Sequence, residues 1–250
     1  MIPIKALIKR FLQLTPFEIR RKPHDLSRPQ ATLEIIRLVL AYFIATKRNP
    51  TIVQIGACDG VTGDSIHEFV RTGRLRAFLV EPIEETFYAL TKAYEGVSNV
   101  TLIRAAIARS DGEISMYKVK AGATSIQQSW SPQLTSFDRG HLLRQGVASG
   151  DIEEVGVPGL TLNTMLDRYG IGNIDILQSD AEGFDAEVVH MALALPTPPQ
   201  CIYFEDLHLS PRQMSEVFAG LARQHYKWTH DKLNTLAVSD HLATHWNSGS

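Results

Sequence analysis

The sequence predicts an α/β fold in which a mostly parallel sheet carries helices on both faces. From Thr51 onward, short apolar runs alternate with stretches of helical period, and strands alternating with helices pack as parallel strands joined by right-handed crossovers. At 250 residues with 44% hydrophobic side chains, the chain can bury one sizeable core but is short for two full domains. Near the end, Lys227–His230 and Asn234–Ser239 flank Asp231-Lys232-Leu233, the pattern of a closing antiparallel hairpin.

In chain order, residues 1–30 hold Pro3, Pro16, Pro23 and Pro29 and read as a helix followed by an irregular lead-in. Ile4, Leu7, Ile8, Phe11 and Leu12 fall at helical spacing among Lys5, Lys9 and Arg10. They suit either a helix packed on the domain or an amphipathic membrane-surface anchor, extended by Arg20, Arg21 and Lys22. Leu33, Ile36, Leu38, Leu40 and Phe43 mark a mostly apolar helix stopped near Asn49-Pro50. Strands are expected at Thr51–Gly56, Ala77–Glu81, Val100–Ile107, Ile114–Val119, Ile174–Ser179 and Cys201–Asp206. Helices are expected at Asp64–Arg71, Ile83–Tyr94, Leu162–Tyr169, Asp185–Ala194 and Pro211–Gln224. Thr161 can cap the third of these helices, and Ser210-Pro211-Arg212-Gln213 offers a capping box to the last. Residues 121–159 show no sustained period, although Trp130, Phe137, Arg139, His141 and Arg144 lie there. So long an irregular stretch reads as a lid-like insertion or a surface excursion. The expected organisation is a lead-in over 1–50 and one domain over 51–250 with the insertion at 121–159.

Composition narrows the function classes. With 25 basic against 27 acidic side chains, the net charge of −2 gives no field to hold nucleic acid. Cys58 and Cys201 both sit in apolar runs, which argues against a disulfide framework and for a reducing, cytoplasmic setting. No apolar stretch approaches the roughly 20 residues that cross a bilayer.

The chemistry gathers where strands end. Thr51-Ile52-Val53-Gln54-Ile55-Gly56-Ala57-Cys58-Asp59-Gly60 is an apolar strand running into a glycine-bearing turn. Glycine at 56 and 60 allows torsions and close ligand approach that a Cβ would block. The spacing is neither the Gly-x-Gly-x-x-Gly dinucleotide pattern nor a P-loop, so a nucleoside without phosphates fits better than a pyrophosphate. Glu81, in Phe78-Leu79-Val80-Glu81-Pro82, follows at the next strand end, where a carboxylate can accept hydrogen bonds from both ribose hydroxyls. Asp180-Ala181-Glu182-Gly183 and Glu205-Asp206-Leu207-His208 close two further strands. Four successive strands thus deliver polar groups to one edge of the sheet. Asp185 and Glu187 are assigned to the first turn of the helix that follows, where acids favour the dipole.

These pieces resemble the FkbM family of S-adenosylmethionine-dependent methyltransferases. The ordered set is Ile55-Gly56-Ala57-Cys58-Asp59-Gly60, Val80-Glu81-Pro82, Ala105-Ala106-Ile107 with Ser110-Asp111-Gly112, Leu160-Thr161-Leu162, Asp180-Ala181-Glu182-Gly183 and Phe204-Glu205, covering roughly residues 51–206. The resemblance implies a Rossmann-like class I methyltransferase fold, with a seven-stranded, mostly parallel sheet and helices on both faces. It implies S-adenosylmethionine as cofactor and O-methylation of a hydroxyl on a sugar, glycan or natural-product acceptor. By the same resemblance Gln54, Gly56, Asp59 and Gly60 would hold the methionine part, Glu81 with Pro82 the ribose, Ala106 the adenine side, and Asp180 would adjoin the cofactor. The chain departs from the family at Gln54, commonly an acid, and at Gln178-Ser179, commonly a lysine-isoleucine pair. Gln54 offers amide hydrogen bonds without charge toward the methionine ammonium.

Two routes to deprotonating the acceptor stay open. A divalent cation, Mg²⁺ or Mn²⁺, could be held by Asp180 with Glu205 or Asp206. Alternatively His208 could act as general base. Two other functions share these features: a nicotinamide-dependent oxidoreductase, which the missing dinucleotide pattern disfavours, and a cofactor-binding module without catalysis.

Overall fold

The computed structural model describes residues 35–126, 134–230 and 233–242. The amphipathic N-terminal segment, Trp130 and the Asp231-Lys232 tip of the hairpin lie outside them. Helix α1 (Ile35–Thr46) buries Ile36, Val39, Leu40 and Phe43, the spacing of one helical face. It is followed by β1 (Thr51–Ile55), α2 (His67–Arg71), β2 (Arg76–Val80), α3 (Glu84–Ala93), β3 (Val100–Ile103), β4 (Ala106–Ile107), β5 (Gly112–Val119) and β6 (Thr135–Ser136). Then come α4 (Arg139–Arg144), β7 (Ile152–Leu160), α5 (Leu162–Arg168), β8 (Ile176–Ser179), α6 (Asp185–Leu193), β9 (Cys201–Glu205), α7 (Pro211–Arg223), β10 (Tyr226–His230) and β11 (Asn234–Ser239).

The main sheet has seven strands in the order β10-β11-β9-β8-β1-β2-β3. Strands β3, β2, β1, β8 and β9 are parallel, and β11 runs antiparallel to both β9 and β10. This is the Rossmann-like class I arrangement. Alternation along each strand divides the core between two faces. Val53, Ile55, Phe78, Val80, Leu177 and Phe204 pack on one side with α5, α6 and α7. Ile52, Ala77, Leu79, Ile176 and Tyr203 pack on the other with α1, α2 and α3. No helix among the described residues is long and apolar enough to cross a membrane.

Local chemistry sets the boundaries. Helix α2 starts at His67 rather than at Asp64, because Asp64 Oδ1 accepts the Ile66 amide at 2.9 Å and holds the chain in a side-chain turn. Ser210 and Gln213 form the capping box of α7, and Thr161 caps α5 through the Thr164 amide.

Two expectations need correction. The strand expected over Val100–Ile107 breaks at Arg104-Ala105, where the Ala105 amide turns back onto Ile103 O at 3.2 Å. Its halves enter different sheets: β3 pairs with β2, and β4 pairs with β7. The aperiodic 121–159 stretch also contains regular structure, with β6, α4 and most of β7 falling inside it. Strand β7 lies between β4 and β5 in a second, four-stranded sheet of order β4-β7-β5-β6. Gly156, Pro158 and Gly159 broke its alternation in the sequence. In the structure a Cβ at Gly159 would lie 3.1 Å from both Gly112 O and the Ile114 side chain, so glycine lets β5 close on β7.

Candidate active site

A cavity of about 390 Å³ opens where β1, β2, β8 and β9 finish, with the second sheet and α4 across it. Ligands of open α/β sheets bind at this edge. Gly56, Cys58, Glu81, Pro82 and Asp180 line the main-sheet side. Ala105, Ala106, Ile107, Met116, Leu134 and Phe137 make a largely apolar wall.

The turn after β1 is set by close backbone approach. Gly56 has φ +78°, and a Cβ there would stand 1.9 Å from the carbonyl oxygen of Asp180. The Gly56 and Ala57 amides both reach Val80 O at 3.0 Å, tying the turn to β2. Glu81 is 4% exposed. Its Oε2 accepts the Cys58 amide at 3.0 Å, and its Oε1 accepts the Ile83 amide at 2.9 Å and Thr86 Oγ1 at 3.2 Å. Burial nevertheless raises its pKa to about 7, against the pull of those hydrogen bonds.

Carboxylates crowd the next two strand ends. Ser179 pairs with Phe204 in the parallel ladder, so Asp180 and Glu205 emerge side by side. Burial, then the acids nearby, raise both well above the carboxylate range. Solvent reaches Asp180 through the cavity, whereas Glu205 Oε2 is buried without a hydrogen-bond partner. Asp206, one residue on, points to the opposite face, as alternation requires. There it accepts Thr235 Oγ1 at 2.5 Å and lies 3.0 Å from His230 Nδ1. Asp206 therefore does not join Asp180 and Glu205: of the two pairings expected, Asp180 with Glu205 or Asp180 with Asp206, only the first lies at the cavity.

On the far side of the cavity stand Glu182, His208 and Gln145. Glu182 takes φ +47°, a costly conformation for a residue with a side chain. Its carbonyl accepts Ser136 Oγ at 2.9 Å, and its Oε2 lies 3.1 Å from Nε2 of the buried His141. The His141 and His208 rings meet edge to face with centroids 4.6 Å apart. Burial, then His141, lower the His208 pKa from its ordinary value.

Of the residues expected from the sequence, Gly56, Glu81, Pro82, Ala106, Asp180, Glu205 and His208 meet at this one cavity. Gln54, Asp59, Gly60 and Asp206 are not among its lining residues. Gln54 faces the opposite side of β1, where its amide donates to Asp64 Oδ1 at 3.3 Å. Asp59 Oδ1 accepts the Val61 and Thr62 amides at 2.9 and 2.8 Å, so its carboxylate shapes the loop. Gly60 is glycine for packing rather than ligand approach, since a Cβ would meet Leu90 at 2.5 Å and Tyr94 at 2.7 Å. Asp185 and Glu187 stand in the first turn of α6 as expected; Asp185 is buried there, and its Oδ1 accepts both Ser179 Oγ and the Ala181 amide. His141 and Gln145 were not candidates from the sequence. Their four-residue spacing, from α4 to its C-cap, is the one local signal they leave.

Solved structures similar to this one include methyltransferase FkbM from Methylobacillus flagellatus KT, at 11% identity and TM-score 0.45. That match covers 76% of this chain and 44% of the other, so the chain spans less than half of that relative's length. Precorrin-6y C5,15-methyltransferase from Geobacter metallireducens GS-15 matches at 11% identity and TM-score 0.43, covering 81% of this chain and 86% of that one. The Methanococcus jannaschii fibrillarin pre-rRNA processing protein matches at 12% and 0.41, covering 77% and 67%. A search of the curated proteins finds no match. The family model of the methyltransferase FkbM domain matches residues 54–227, well over half of the 250. A glycine turn, a buried strand-end glutamate and paired acids at the next two strand ends accompany that match: the chain belongs to the methyltransferase FkbM domain family.

Proposed function

We propose that the protein transfers the methyl group of S-adenosylmethionine to a hydroxyl of a sugar, glycan or natural-product acceptor. The carrying observation is the cavity at the carboxyl edge of the sheet, with Glu81 on one wall and crowded carboxylates on another. At about 390 Å³, mostly apolar with a few convergent polar groups, it suits a small-molecule site.

The residues fit the cofactor. Glu81 has its hydrogen-bonding loop in place and can accept ribose hydroxyls in its ionised form. Ala105, Ala106, Ile107 and Met116 offer the apolar surface a purine needs. Gly56 lets the backbone approach closely. Gln54 carries no charge, but Asp64 beside it brings a carboxylate behind the loop. Gln54 Oε1 and Asp64 Oδ2 are both buried without hydrogen-bond partners, but neither residue lines the cavity. When bound, S-adenosylmethionine supplies a methyl on a positive sulfonium, already a good leaving group.

The protein's part is then to align the acceptor oxygen, exclude water and take up a proton. Asp180, Glu205 and His208 form the wall that receives it. The free cysteines fit a reducing cytoplasmic setting, and the chain's near-neutral charge supports a small acceptor over nucleic acid.

Titration calorimetry with S-adenosylmethionine and with NAD(H), followed by labelled methyl transfer to a panel of glycans and hydroxylated metabolites, tests the reading. Binding of the first ligand alone, with turnover on a hydroxyl, is expected. Folded protein with no affinity for S-adenosylmethionine or its demethylated product would overturn it.

A further inference from the structure

The insertion brings a second set of donors to the cavity mouth. His141 comes from α4, Glu182 from the loop after β8, and His208 from the segment after β9. One donor atom from each lies within 4.8 Å of the others. His141 Nε2 and Glu182 Oε2 are already 3.1 Å apart. Ligands bound at about 2.1 Å stand roughly 3.0–3.4 Å from each other in octahedral or tetrahedral geometry, so the three need close by no more than about 1.4–1.8 Å. A fourth donor is at hand: Glu205 Oε2, buried and without a hydrogen-bond partner, lies 3.7 Å from His208 Nε2.

Two further features show that these groups are held in place. Glu182 keeps its left-handed backbone with its carbonyl tied to Ser136 Oγ, although Gly183 follows immediately. Gln145 Nε2, one turn after His141, lies 3.3 Å from His208 Nε2 and holds that ring by donating to it, a hydrogen bond that the ion would replace. The donors on hand are two imidazoles and carboxylate oxygen.

We propose that His141, Glu182 and His208, with Glu205 as a fourth ligand, bind one divalent transition-metal ion of the zinc, manganese or iron class. Paired imidazoles favour such ions over Mg²⁺ or Ca²⁺, which prefer oxygen alone. This is a different ligand set from Asp180 with Glu205 or Asp206, the pairings expected from the sequence, although it shares Glu205. Binding of the ion stands apart from methyl transfer. Its role in the reaction rests on the function proposed above: since Glu182, Glu205 and His208 line the cavity, the ion would face the acceptor and lower its hydroxyl pKa.

The test uses the untagged full chain, stripped by chelator and titrated with Zn²⁺ in a calorimeter. One equivalent is expected to bind. His141→Ala and Glu182→Gln should each weaken binding by more than the roughly 10–100-fold that loss of an outer-shell partner costs. Asp206→Asn, on the opposite face of the strand, should leave it unchanged. Co²⁺ added to the wild-type chain should give the visible absorption of a nitrogen- and oxygen-bound ion, a readout that needs no variant to fold. Failure of wild-type protein to bind Zn²⁺ overturns the proposal, as does binding that both ligand variants retain. S-adenosylmethionine affinity measured on the same stripped protein separates this outcome from failure of the methyltransferase reading.

Discussion

Replacing Gly56 by alanine isolates the contact on which the cavity floor is built. Gly56 and Gly63 have nearly equal torsions, φ +78° and +71°, but different surroundings. A Cβ on Gly63 meets nothing within 4 Å, whereas one on Gly56 would lie 1.9 Å from Asp180 O and 2.9 Å from its carbonyl carbon. The left-handed backbone costs an alanine about 1–2 kcal/mol at either site. Reduced freedom of the unfolded chain offsets roughly 0.4–1 kcal/mol of this in both. Gly63→Ala should therefore lose only about 1 kcal/mol. Gly56→Ala must in addition push the end of β8 away from β1, an overpacking strain of about 1–3 kcal/mol, because the obstructing atoms are backbone and cannot rotate aside. Urea unfolding of both variants at constant m-value measures the difference, and titration with S-adenosylmethionine should show affinity lost only in Gly56→Ala. Equal stability of the two variants to within about 0.5 kcal/mol, a usual limit for comparing independent sites, would refute the close approach.

Further outcomes follow from other sites. Burial raises Glu81 from 4.5 to about 7, so its contribution to stability is fully present below pH 4.5 and is lost as pH rises through 7. That is about 3 kcal/mol, and Glu81→Gln should flatten the pH dependence of urea unfolding by this amount while weakening cofactor binding. Asp175 lies 2% exposed at the amino-terminal edge of the sheet, pairing with Lys47 and accepting the Thr51 amide and Gln200 Nε2, both at 2.8 Å. Asp175→Ala should cost about 2–4 kcal/mol by denaturation and leave cofactor affinity untouched. Ser210→Ala removes the α7 cap and should cost about 1 kcal/mol, again without effect on binding.

Where a signal is local, the sequence carries it. Strands β1, β2, β8 and β9, the final hairpin and the α7 capping box depend on alternation and end chemistry within a few residues, and they form where those rules put them. Glu81, Asp180 and Glu205 were legible for the same reason, each standing at the end of an apolar run. What stayed hidden depends on partners distant in the chain. Strand β7 is broken up by Gly156, Pro158 and Gly159, and the need for the last of these glycines appears only when β5 lies against it. Asp59 and Gly60 sit in the expected loop, but hydrogen bonding turns one inward to the loop and Leu90 and Tyr94 occupy the space beside the other. Asp206 illustrates the finest scale: adjacent to Glu205 in sequence, it is excluded from the cavity by the two-residue period of a strand. His141 reaches the site only because α4, some 40 residues before Glu182, folds across the cavity mouth.

The acids at this edge are difficult to explain as scaffolding. Glu81, Asp185 and Glu205 are withdrawn from bulk water, Asp180 is exposed beside them at the cavity, and all four hold their protons more tightly than free carboxyls do. Folding must therefore keep them protonated or bear their repulsion, so stability from this cluster falls as pH rises from the ordinary carboxyl range through the raised values. Asp175 is as deeply buried, but Lys47 answers its charge, and there the acid serves the fold. Among the described residues, no lysine or arginine lines the cavity. A positive ligand there would stabilise the ionised carboxylates, release protons and recover part of the lost stability. Both a sulfonium and a divalent ion meet that requirement. The pH at which each binds best should therefore lie above neutrality, where uncompensated repulsion among these acids is greatest.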